Sequence, residues 1–282
     1  MRHFRDRSDA KYLRDLDSMH YIMPLIFPNR CDNEAYMSMD VVIENTEEFI
    51  RKQNEGRKEE DRYSIFGVVI AAALQTIYKR PQLNRFIANV NMYQRNGVNA
   101  AFVVKKSLAD EAEETLARIE ATGEDNLESI QKQINDQIRS CKVNDDQSTE
   151  SMNIIQKLPF KKLIGRLARW ADRHGWMPKS VIATDPYQCS VVLTNLGSIG
   201  MSIGYHHLMN WGTNSIFIVV GKKVNKVFYD NDGNVKETKK VLRLSFTVDE
   251  RISDGFYFGK SLRMLKKLVE NPELMLAKFD EN

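Results

Sequence analysis

The chain has 282 residues and a mass of 32.6 kDa, a length that suits one large domain or two small ones. Its hydrophobic fraction of 42% and charged fraction of 28% are ordinary for a globular protein, which excludes disordered, collagen-like and coiled-coil classes. The 41 Lys and Arg residues exceed the 38 Asp and Glu residues by a formal charge of +3. This excess is too small to indicate a nucleic-acid partner from bulk charge.

The N-terminus and the cysteines indicate the compartment. The first residues are charged and contain no apolar segment typical of a secretory signal. The longest strongly apolar run, Ile65–Leu74, has ten residues, about half of what a bilayer span needs, so we expect a buried helix there and no membrane span. Cys31, Cys141 and Cys189 are too widely spaced for a disulfide framework or a metal site. We therefore expect a cytoplasmic protein with reduced thiols and no bound metal.

The first third of the chain alternates between helix and strand signals. Asn45 is predicted to cap a helix, and Pro81 ends a second helix that is apolar on most faces. Asn96-Gly97 between two strand-like runs predicts a hairpin turn. The predicted elements are helix Asp9–Met19, strand Tyr36–Val42, helices Thr46–Asn54 and Tyr63–Lys79, and strands Arg85–Tyr93 and Val98–Lys105.

The middle of the chain is predicted to be helical and the last third rich in strands. Two polar helices, Ala109–Ala121 and Asn126–Arg139, precede a loose linker at Lys142–Glu150 and an amphipathic helix at Pro159–His174. The predicted strands are Ser190–Asn195, Ser215–Val220, Lys223–Tyr229 and Lys239–Val248, with a hairpin turn at Asn231–Asn234 and a closing helix at Gly255–Glu270. This order predicts a single α+β domain with a mixed sheet.

Three segments in order carry a family resemblance. They are Pro81–Asn84 after the buried helix, Leu193–Gly200 (LTNLGSIG), and Leu244–Gly255 (LSFTVDERISDG) before the closing helix. Together they resemble the catalytic domain of the dihydrolipoamide acyltransferases of 2-oxoacid dehydrogenase complexes, which shares its fold with chloramphenicol acetyltransferase. The resemblance covers about residue 10 to the end. It implies a two-layer sandwich, a mixed sheet flanked by helices, that assembles as a homotrimer.

The resemblance also implies a reaction. In the family, coenzyme A reaches a channel between subunits, a histidine in the pattern HxxxDG acts as general base on a thiol, and a hydroxyl before the NLG segment donates to the tetrahedral oxyanion. Asp254 and Gly255 match the DG of the pattern, and Thr194, followed by Asn195, matches the hydroxyl position. The aspartate of the pattern is structural and pairs with an arginine near the domain start, for which Arg14 is the match.

Glu250 stands where the resemblance expects the catalytic histidine. A general base works best with a pKa near the operating pH; histidine, at about 6.5, meets this condition, and an ordinary glutamate, at about 4.3, does not. Burial raises the pKa of a glutamate and restores its use as a base, whereas a solvated or ion-paired Glu250 indicates a site that has lost the reaction. His206 and His207, after the NLG segment, are a second source of an imidazole base, or else packed loop histidines.

A basic stripe lies on the helix predicted at Pro159–His174. Its residues are Lys162, Arg166, Arg169 and Arg173, opposite an apolar stripe. Three interpretations of the stripe are open. It is a solvated surface, or it is an anion site in which Arg166 and Arg169 hold coenzyme A phosphates. The third is that it belongs to an interfacial helix on anionic lipid, with Trp170 and Trp176 as anchors. The last interpretation requires the stripe to be exposed beside apolar residues.

The resemblance predicts a coenzyme-A-dependent acyltransferase with an altered general base and a small-molecule acceptor. A non-catalytic trimer that kept the channel for ligand binding or assembly is the alternative. A buried Glu250 within reach of Thr194, His206 or His207 favours the enzyme, and a Glu250 held in a salt bridge favours the binding protein. Residues 1–282 are expected to form one domain, with an N-terminal arm at 1–30 and an atypical helical insertion at 105–188, and without lipoyl or subunit-binding domains.

Overall fold

The computed structural model describes residues 3, 5–105, 114–143 and 159–281, which form two sheets and seven helices. The strands are β1 (Ala10–Tyr12), β2 (Glu34–Val42), β3 (Arg85–Ala88), β4 (Asn91–Arg95), β5 (Val98–Lys105), β6 (Glu114–Ala121), β7 (Val191–Asn195), β8 (Ile216–Tyr229) and β9 (Val235–Asp249). The helices are α1 (Ser18–Ile26), α2 (Glu44–Gln53), α3 (Ile65–Lys79), α4 (Leu127–Val143), α5 (Lys161–Arg173), α6 (Lys179–Thr184) and α7 (Gly255–Glu270).

The large sheet has six strands in the order β2-β9-β8-β7-β5-β6. The β5-β7 and β7-β8 pairs are parallel and the others antiparallel, so the predicted mixed sheet is confirmed. Its inner face buries alternate residues of each strand against α3, α4 and α7 in the main hydrophobic core. No helix within the described ranges combines the length and the apolar character needed to cross a bilayer.

The small sheet, in the order β1-β4-β3, corrects the predicted hairpin at Asn96-Gly97. The chain reverses at Asn89 and Val90, both with positive φ, so β3 pairs with β4, and Arg85–Tyr93 is two strands rather than one. Asn96 and Gly97 instead join β4 to β5, which lies in the large sheet. The Asn-Gly signal marks a tight link, but burial of β5 in the large sheet decides its partners.

Three other predicted features differ from the structure. Residues 114–121 form an edge strand that pairs with β5. The helix predicted at Ala109–Ala121, within the 105–188 insertion, is therefore wrong over residues 114–121. Residues 109–113 lie outside the described residues. The helix predicted at Asp9–Met19 is displaced, because β1 occupies Ala10–Tyr12 and α1 begins after its cap Asp17. Asn45 lies inside α2, where its amide donates to the Glu270 carbonyl.

The other elements follow their local signals. α3 is buried along most of its length and is capped by the Ser64 hydroxyl, and α7 begins and ends where predicted. The two strands predicted on either side of Gly221 are one long strand, β8, with an irregularity in its pairing between Val220 and Lys223. The hairpin turn at residues 231–234 joins β8 to β9 as predicted. Lys142 and Val143 of the predicted linker belong to α4, and residues 144–150 lie outside the described residues.

Candidate active site

Glu250 lies in a short 3-10 turn, Glu250–Ile252, between the end of β9 and α7. Its neighbours Asp249 and Arg251 are 0% and 2% exposed and form a bidentate ion pair, with Nε and Nη2 at 2.8 and 2.7 Å from the two carboxylate oxygens. Arg251 also donates through Nη1 to the Phe27 carbonyl at 2.7 Å. The pair fixes the backbone on both sides of Glu250, and the Glu250 side chain itself is exposed.

The arginine from the start of the chain that reaches this turn is Arg30, not Arg14. Arg30 is 6% exposed, its Nε is 3.9 Å from the Asp249 carboxylate, and its other nitrogens donate to the Met209 and Gly212 carbonyls at 2.6 and 3.0 Å. Burial lowers the pKa of Arg30 and the Asp249 carboxylate opposes that shift, which is expected of a guanidinium held in a dry site. Arg30 therefore joins the Glu250 turn to the loop after the NLG segment.

The predicted pairing of Asp254 with Arg14 is replaced by other contacts. Asp254 caps α7, accepting the Tyr257 N–H at 2.7 Å. Arg14 donates to the Tyr12 carbonyl at 3.1 Å and lies 3.6 Å from the Asp6 carboxylate. Gly255 begins α7, and a Cβ atom there meets nothing within 4 Å. Asp254 is thus structural as expected, but it acts on the helix and not on an arginine.

The Pro81–Asn84 segment packs against the turn that carries Glu250. The Ser253 hydroxyl donates to the Gln82 side-chain carbonyl at 2.8 Å, and the Tyr257 hydroxyl accepts the Gln82 N–H at 3.2 Å. The Glu250 N–H donates to the Asn33 carbonyl at 3.0 Å, which ties the turn to the start of β2. Two of the three segments that carry the resemblance therefore meet in one place.

Thr194 lies at the end of β7, half-buried, on the outer face of the large sheet with its neighbour Val192. The turn after it is built by Asn195, whose side-chain oxygen accepts the Ser198 N–H at 3.2 Å. Gly197 packs so closely that a Cβ atom would stand 2.5 Å from the Gly221 carbonyl oxygen. The Thr194 hydroxyl makes no hydrogen bond to another described residue, so its proton is available to a ligand.

The loop after the NLG segment brings His206 onto the face that carries Thr194. The His206 ring stacks on Phe217 at 4.2 Å between centroids, and Phe217 pairs with Val192, two residues before Thr194. His206 Nδ1 is 2.7 Å from the His207 carbonyl oxygen, which can only accept, so the neutral ring carries its proton on Nδ1 and leaves Nε2 as an acceptor. His207 is exposed and packs edge-on to His206 at 4.6 Å.

Thr194 and Glu250 are far apart within one chain. Thr194 is level with Val219 and Ser245 in the sheet register, and Glu250 follows Ser245 by five residues. Five residues of strand span about 16 Å, and two strand spacings add about 10 Å sideways, so the separation is near 19 Å. Neither predicted arrangement of Glu250 holds in one chain: its carboxylate is not buried beside Thr194, and no ion pair joins it to another described residue.

Arg166 and Arg169 are exposed on α5, as predicted. Arg7 and Gln188 donate hydrogen bonds to Asp172, which fix α5 to the described body of the chain. Contacts with coenzyme A phosphates stay a prediction for both arginines. Among the described residues, no three His, Cys, Asp or Glu side chains come together in a way that suits a metal ion.

Sequence reasoning missed the buried framework of the Glu250 turn. The signal for the Asp249–Arg251 pair was present in the tripeptide DER, because an aspartate at the end of a strand and an arginine two residues later are close enough to pair. Nothing in the local sequence marks Arg30, whose side-chain partners Ile87, Met209 and Gly212 are 57, 179 and 182 residues away along the chain.

Part of the chain matches a known protein family. The family model for 2-oxoacid dehydrogenases acyltransferase (catalytic domain) matches residues 179–277, which include Thr194, His206, Glu250 and Asp254. A search of curated protein sequences finds no match.

Several solved structures share the fold. A dihydrolipoamide acetyltransferase of Azotobacter vinelandii superposes with a TM-score of 0.61 at 14% identity, covering 94% of both chains. The cubic core of a pyruvate dehydrogenase multienzyme complex gives 0.59 at 14% identity, also covering 94% of both chains. Chloramphenicol acetyltransferase gives 0.50 at 11% identity, covering 93% of this chain and 98% of that chain. The chain thus has the α+β fold of chloramphenicol acetyltransferase and the dihydrolipoamide acetyltransferases, and its residues 179–277 match the acyltransferase catalytic-domain family.

Proposed function

We propose that the protein is a coenzyme-A-dependent acyltransferase whose reacting site is assembled from two copies of the chain, as a homotrimer provides. One copy supplies the Thr194 face and the next supplies Glu250. The observation that carries this proposal is the rigid, exposed presentation of Glu250 by the buried Asp249–Arg251 pair. A carboxylate held by its neighbours but unpaired with any other described residue is suited to a partner from outside the chain.

The spacing of two residues in a studied relative supports the proposal. In the Azotobacter vinelandii enzyme, a serine, a histidine and an asparagine were investigated for their role in the catalytic mechanism, and the asparagine follows the histidine by four residues. Asp254 follows Glu250 by the same spacing here. The equal spacing supports a site of similar layout, in which Glu250 takes the position of the histidine.

The proposed reaction is the transfer of an acyl group from a coenzyme A thioester to a small acceptor. A base removes the acceptor's proton, the acceptor attacks the thioester carbonyl, and the Thr194 hydroxyl donates to the resulting oxyanion. The carbon–sulfur bond then breaks, and the thiolate of coenzyme A regains the proton from the base. Coenzyme A is therefore a substrate, and the roles of the chain are to orient it, to stabilise the oxyanion and to carry one proton.

Two residues compete for the role of base. Glu250 is exposed in one chain, and contact with a second copy would remove water from around its carboxylate, the condition under which carboxylates act as bases. His206 lies on the same face as Thr194 in the same chain, and its neutral ring, with Nδ1 directed at the His207 carbonyl, leaves Nε2 as the acceptor. We assign the role to Glu250 because the family pattern places the base there, and His206 is the alternative.

An acyl-transfer screen with single variants tests the proposal. Release of free coenzyme A from several acyl-coenzyme A species is measured with thiol, amine and hydroxyl acceptors. Thr194→Val keeps the shape of the side chain but loses the hydroxyl, and we expect a decrease in kcat of about 100-fold or more. Glu250→Gln is expected to reduce kcat by about 100-fold to 10,000-fold, and Glu250→His to retain activity.

The matched controls are Glu59→Gln, which changes an exposed glutamate in another short turn, and His206→Asn. The His206→Asn variant keeps an N–H donor for the His207 carbonyl through the amide group, but it has no basic nitrogen in place of Nε2. If His206→Asn abolishes turnover and Glu250→Gln does not, the base is His206. If the wild-type protein binds coenzyme A in calorimetry but transfers no acyl group, the protein is the non-catalytic ligand-binding alternative.

A further inference from the structure

Helix α5 exposes its apolar face to solvent. The exposed residues on and beside it are Phe160 at 81%, Leu163 at 54%, Ile164 at 38%, Leu167 at 57%, Trp170 at 47% and Trp176 at 67%. In a surface helix of a globular protein such a stripe normally packs on the core. Here the half-buried positions are the small residues Ala168 and Ala171, so the helix is turned with its large apolar side chains outward.

A polar anchor holds α5 in this orientation. Asp172 is 4% exposed, and its carboxylate accepts from the Gln188 amide at 2.7 Å and lies 3.6 Å from an Arg7 nitrogen. Arg7 also donates to the Asp172 carbonyl at 2.6 Å, and Gly175, with φ of 71°, leaves room for the Arg7 side chain. Turning the apolar stripe inward would break this buried network, so its outward orientation is a built feature of the fold.

The exposed stripe is flanked by positive charge. α5 carries Lys161, Lys162, Arg166, Arg169 and Arg173, and its one carboxylate is the inward Asp172. At 100° per residue, Lys162, Arg166, Arg169 and Arg173 form one row beside the row of Leu163, Leu167 and Trp170. A cationic row beside an apolar row with tryptophan is the arrangement of helices that lie in the interface of anionic membranes.

The C-terminal end of α5 adds aromatic and cationic groups. Trp170 packs edge-on to Trp176 at 4.8 Å and close to His174 at 4.6 Å. A polar cleft of about 430 Å³ adjoins them, and its charged lining residues are Arg5, Arg7, Arg173 and one carboxylate, Asp6. Indole rings favour the headgroup level of a bilayer, and arginines suit phosphate groups.

We infer that the exposed face of α5 docks the protein on a membrane surface that contains anionic lipids. The apolar row enters the boundary between headgroups and acyl chains, and the basic row contacts the headgroup phosphates. A second copy of the chain fits the face less well, because a symmetric contact through α5 would bring two cationic rows together without acidic residues on the helix to offset them.

Vesicle binding tests the inference on the full chain. Co-sedimentation and tryptophan fluorescence are measured with phosphatidylcholine vesicles, with and without about a third of phosphatidylglycerol. We expect binding and a blue shift with the anionic vesicles, both weakened by salt, and little binding to phosphatidylcholine alone. Arg166→Gln combined with Arg169→Gln should weaken the partition about 30-fold, since each cation near an anionic surface contributes about five-fold. Leu163→Ser combined with Leu167→Ser should weaken it at least about tenfold.

The matched control is Arg263→Gln with Lys267→Gln, which removes two exposed cations one turn apart on α7 and should change binding by less than about twofold. Absence of wild-type binding to anionic vesicles overturns the inference, as does equal weakening by the α7 pair. If Leu163→Ser combined with Leu167→Ser changes the size of the assembly in sedimentation velocity, a second copy of the chain covers the face and the inference is wrong. If Arg166→Gln combined with Arg169→Gln weakens coenzyme A binding in calorimetry but does not weaken vesicle binding, the basic row belongs to a coenzyme A site and the inference is wrong.

Discussion

Replacing Arg251 with methionine should destabilise the protein far more than replacing a surface arginine. The substitution removes a guanidinium that is 2% exposed and leaves the Asp249 carboxylate, 0% exposed, without its bidentate partner. The Phe27 carbonyl also loses the shorter of its two hydrogen bonds, at 2.7 Å, and keeps the one from the Asn33 amide at 3.4 Å. Methionine fills part of the space of the arginine stem, so the loss is mainly of charge and hydrogen bonds and not of volume.

The expected decrease in the free energy of unfolding is near the lower end of the range for a buried ion pair that has lost one partner. Removing one partner of such a pair costs about 3–5 kcal/mol, because the other charge stays buried. Arg30, with Nε 3.9 Å from Asp249, remains to compensate part of that charge, which brings the expected loss to about 3 kcal/mol. For a chain of this size, that loss lowers Tm by roughly 6–12 °C.

Thermal and urea unfolding of matched variants measure this loss. The control is Arg139→Met, whose exposed ion pairs with Asp61 and Asp136, at 3.5 and 3.4 Å, should contribute less than about 1 kcal/mol. Asp249→Asn combined with Arg251→Met should cost less than the sum of the single changes, since neither member of the pair is then left buried without the other. If Arg251→Met is no more destabilising than Arg139→Met, the pair does not hold the turn that carries Glu250.

Two further predictions test the large sheet and its turns. A hydrogen bond from Arg243 holds the pKa of Asp40 at about 2, below the usual 3.8. The ionised Asp40 side chain therefore stabilises the folded protein by at most about 2 kcal/mol above pH 4, and this stabilisation is lost as the pH falls toward 2. Asp40→Asn should therefore be less stable than the wild type in urea at neutral pH and equally stable near pH 2; an equal difference at both pH values would contradict this. Gly197→Ala should cost about 1–3 kcal/mol because its Cβ would lie 2.5 Å from the Gly221 carbonyl oxygen. Gly255→Ala should change stability by less than about 0.5 kcal/mol, and a Gly197 variant as stable as the Gly255 variant would refute the close approach.

Elements with complete local signals could be predicted from the sequence. α7 has Asp254 at its cap and the Asn271-Pro272 stop, and its bounds are as predicted. α3 is apolar on most faces, and the structure buries it. The fold class followed from the three ordered segments, because these segments form the strand ends and turns that the fold requires.

The edge strand β6 shows where reading by composition failed. Its charged residues suggested a helix, but Thr115, Ala117, Ile119 and Ala121 are buried and alternate with more exposed residues. A period of two was therefore present in the sequence and was outweighed by the charges. The turn at Asn89 and Val90 had no such signal, since Asn-Val is not a usual hairpin-turn pair.

The site was predicted residue by residue but not as a geometry. Thr194, His206 and Glu250 were singled out from the sequence, yet only the sheet register shows that His206 shares the face of Thr194 while Glu250 is near 19 Å away. Arg30 was missed because its partners come together only through tertiary contacts.

Complementation between two inactive variants tests the two-copy site most directly. Thr194→Ala and Glu250→Gln chains are coexpressed with different tags, and the mixed assemblies are assayed for acyl transfer. If each site takes Thr194 from one copy and Glu250 from the next, random mixing leaves about a quarter of the sites intact, and activity should return to about a quarter of the wild type. Two differently tagged copies of the Thr194→Ala chain, coexpressed in the same way, are the control and should stay inactive because every site then lacks the hydroxyl. Mixed Thr194→Ala and Glu250→Gln assemblies with no more activity than either variant alone would contradict a site built from two copies.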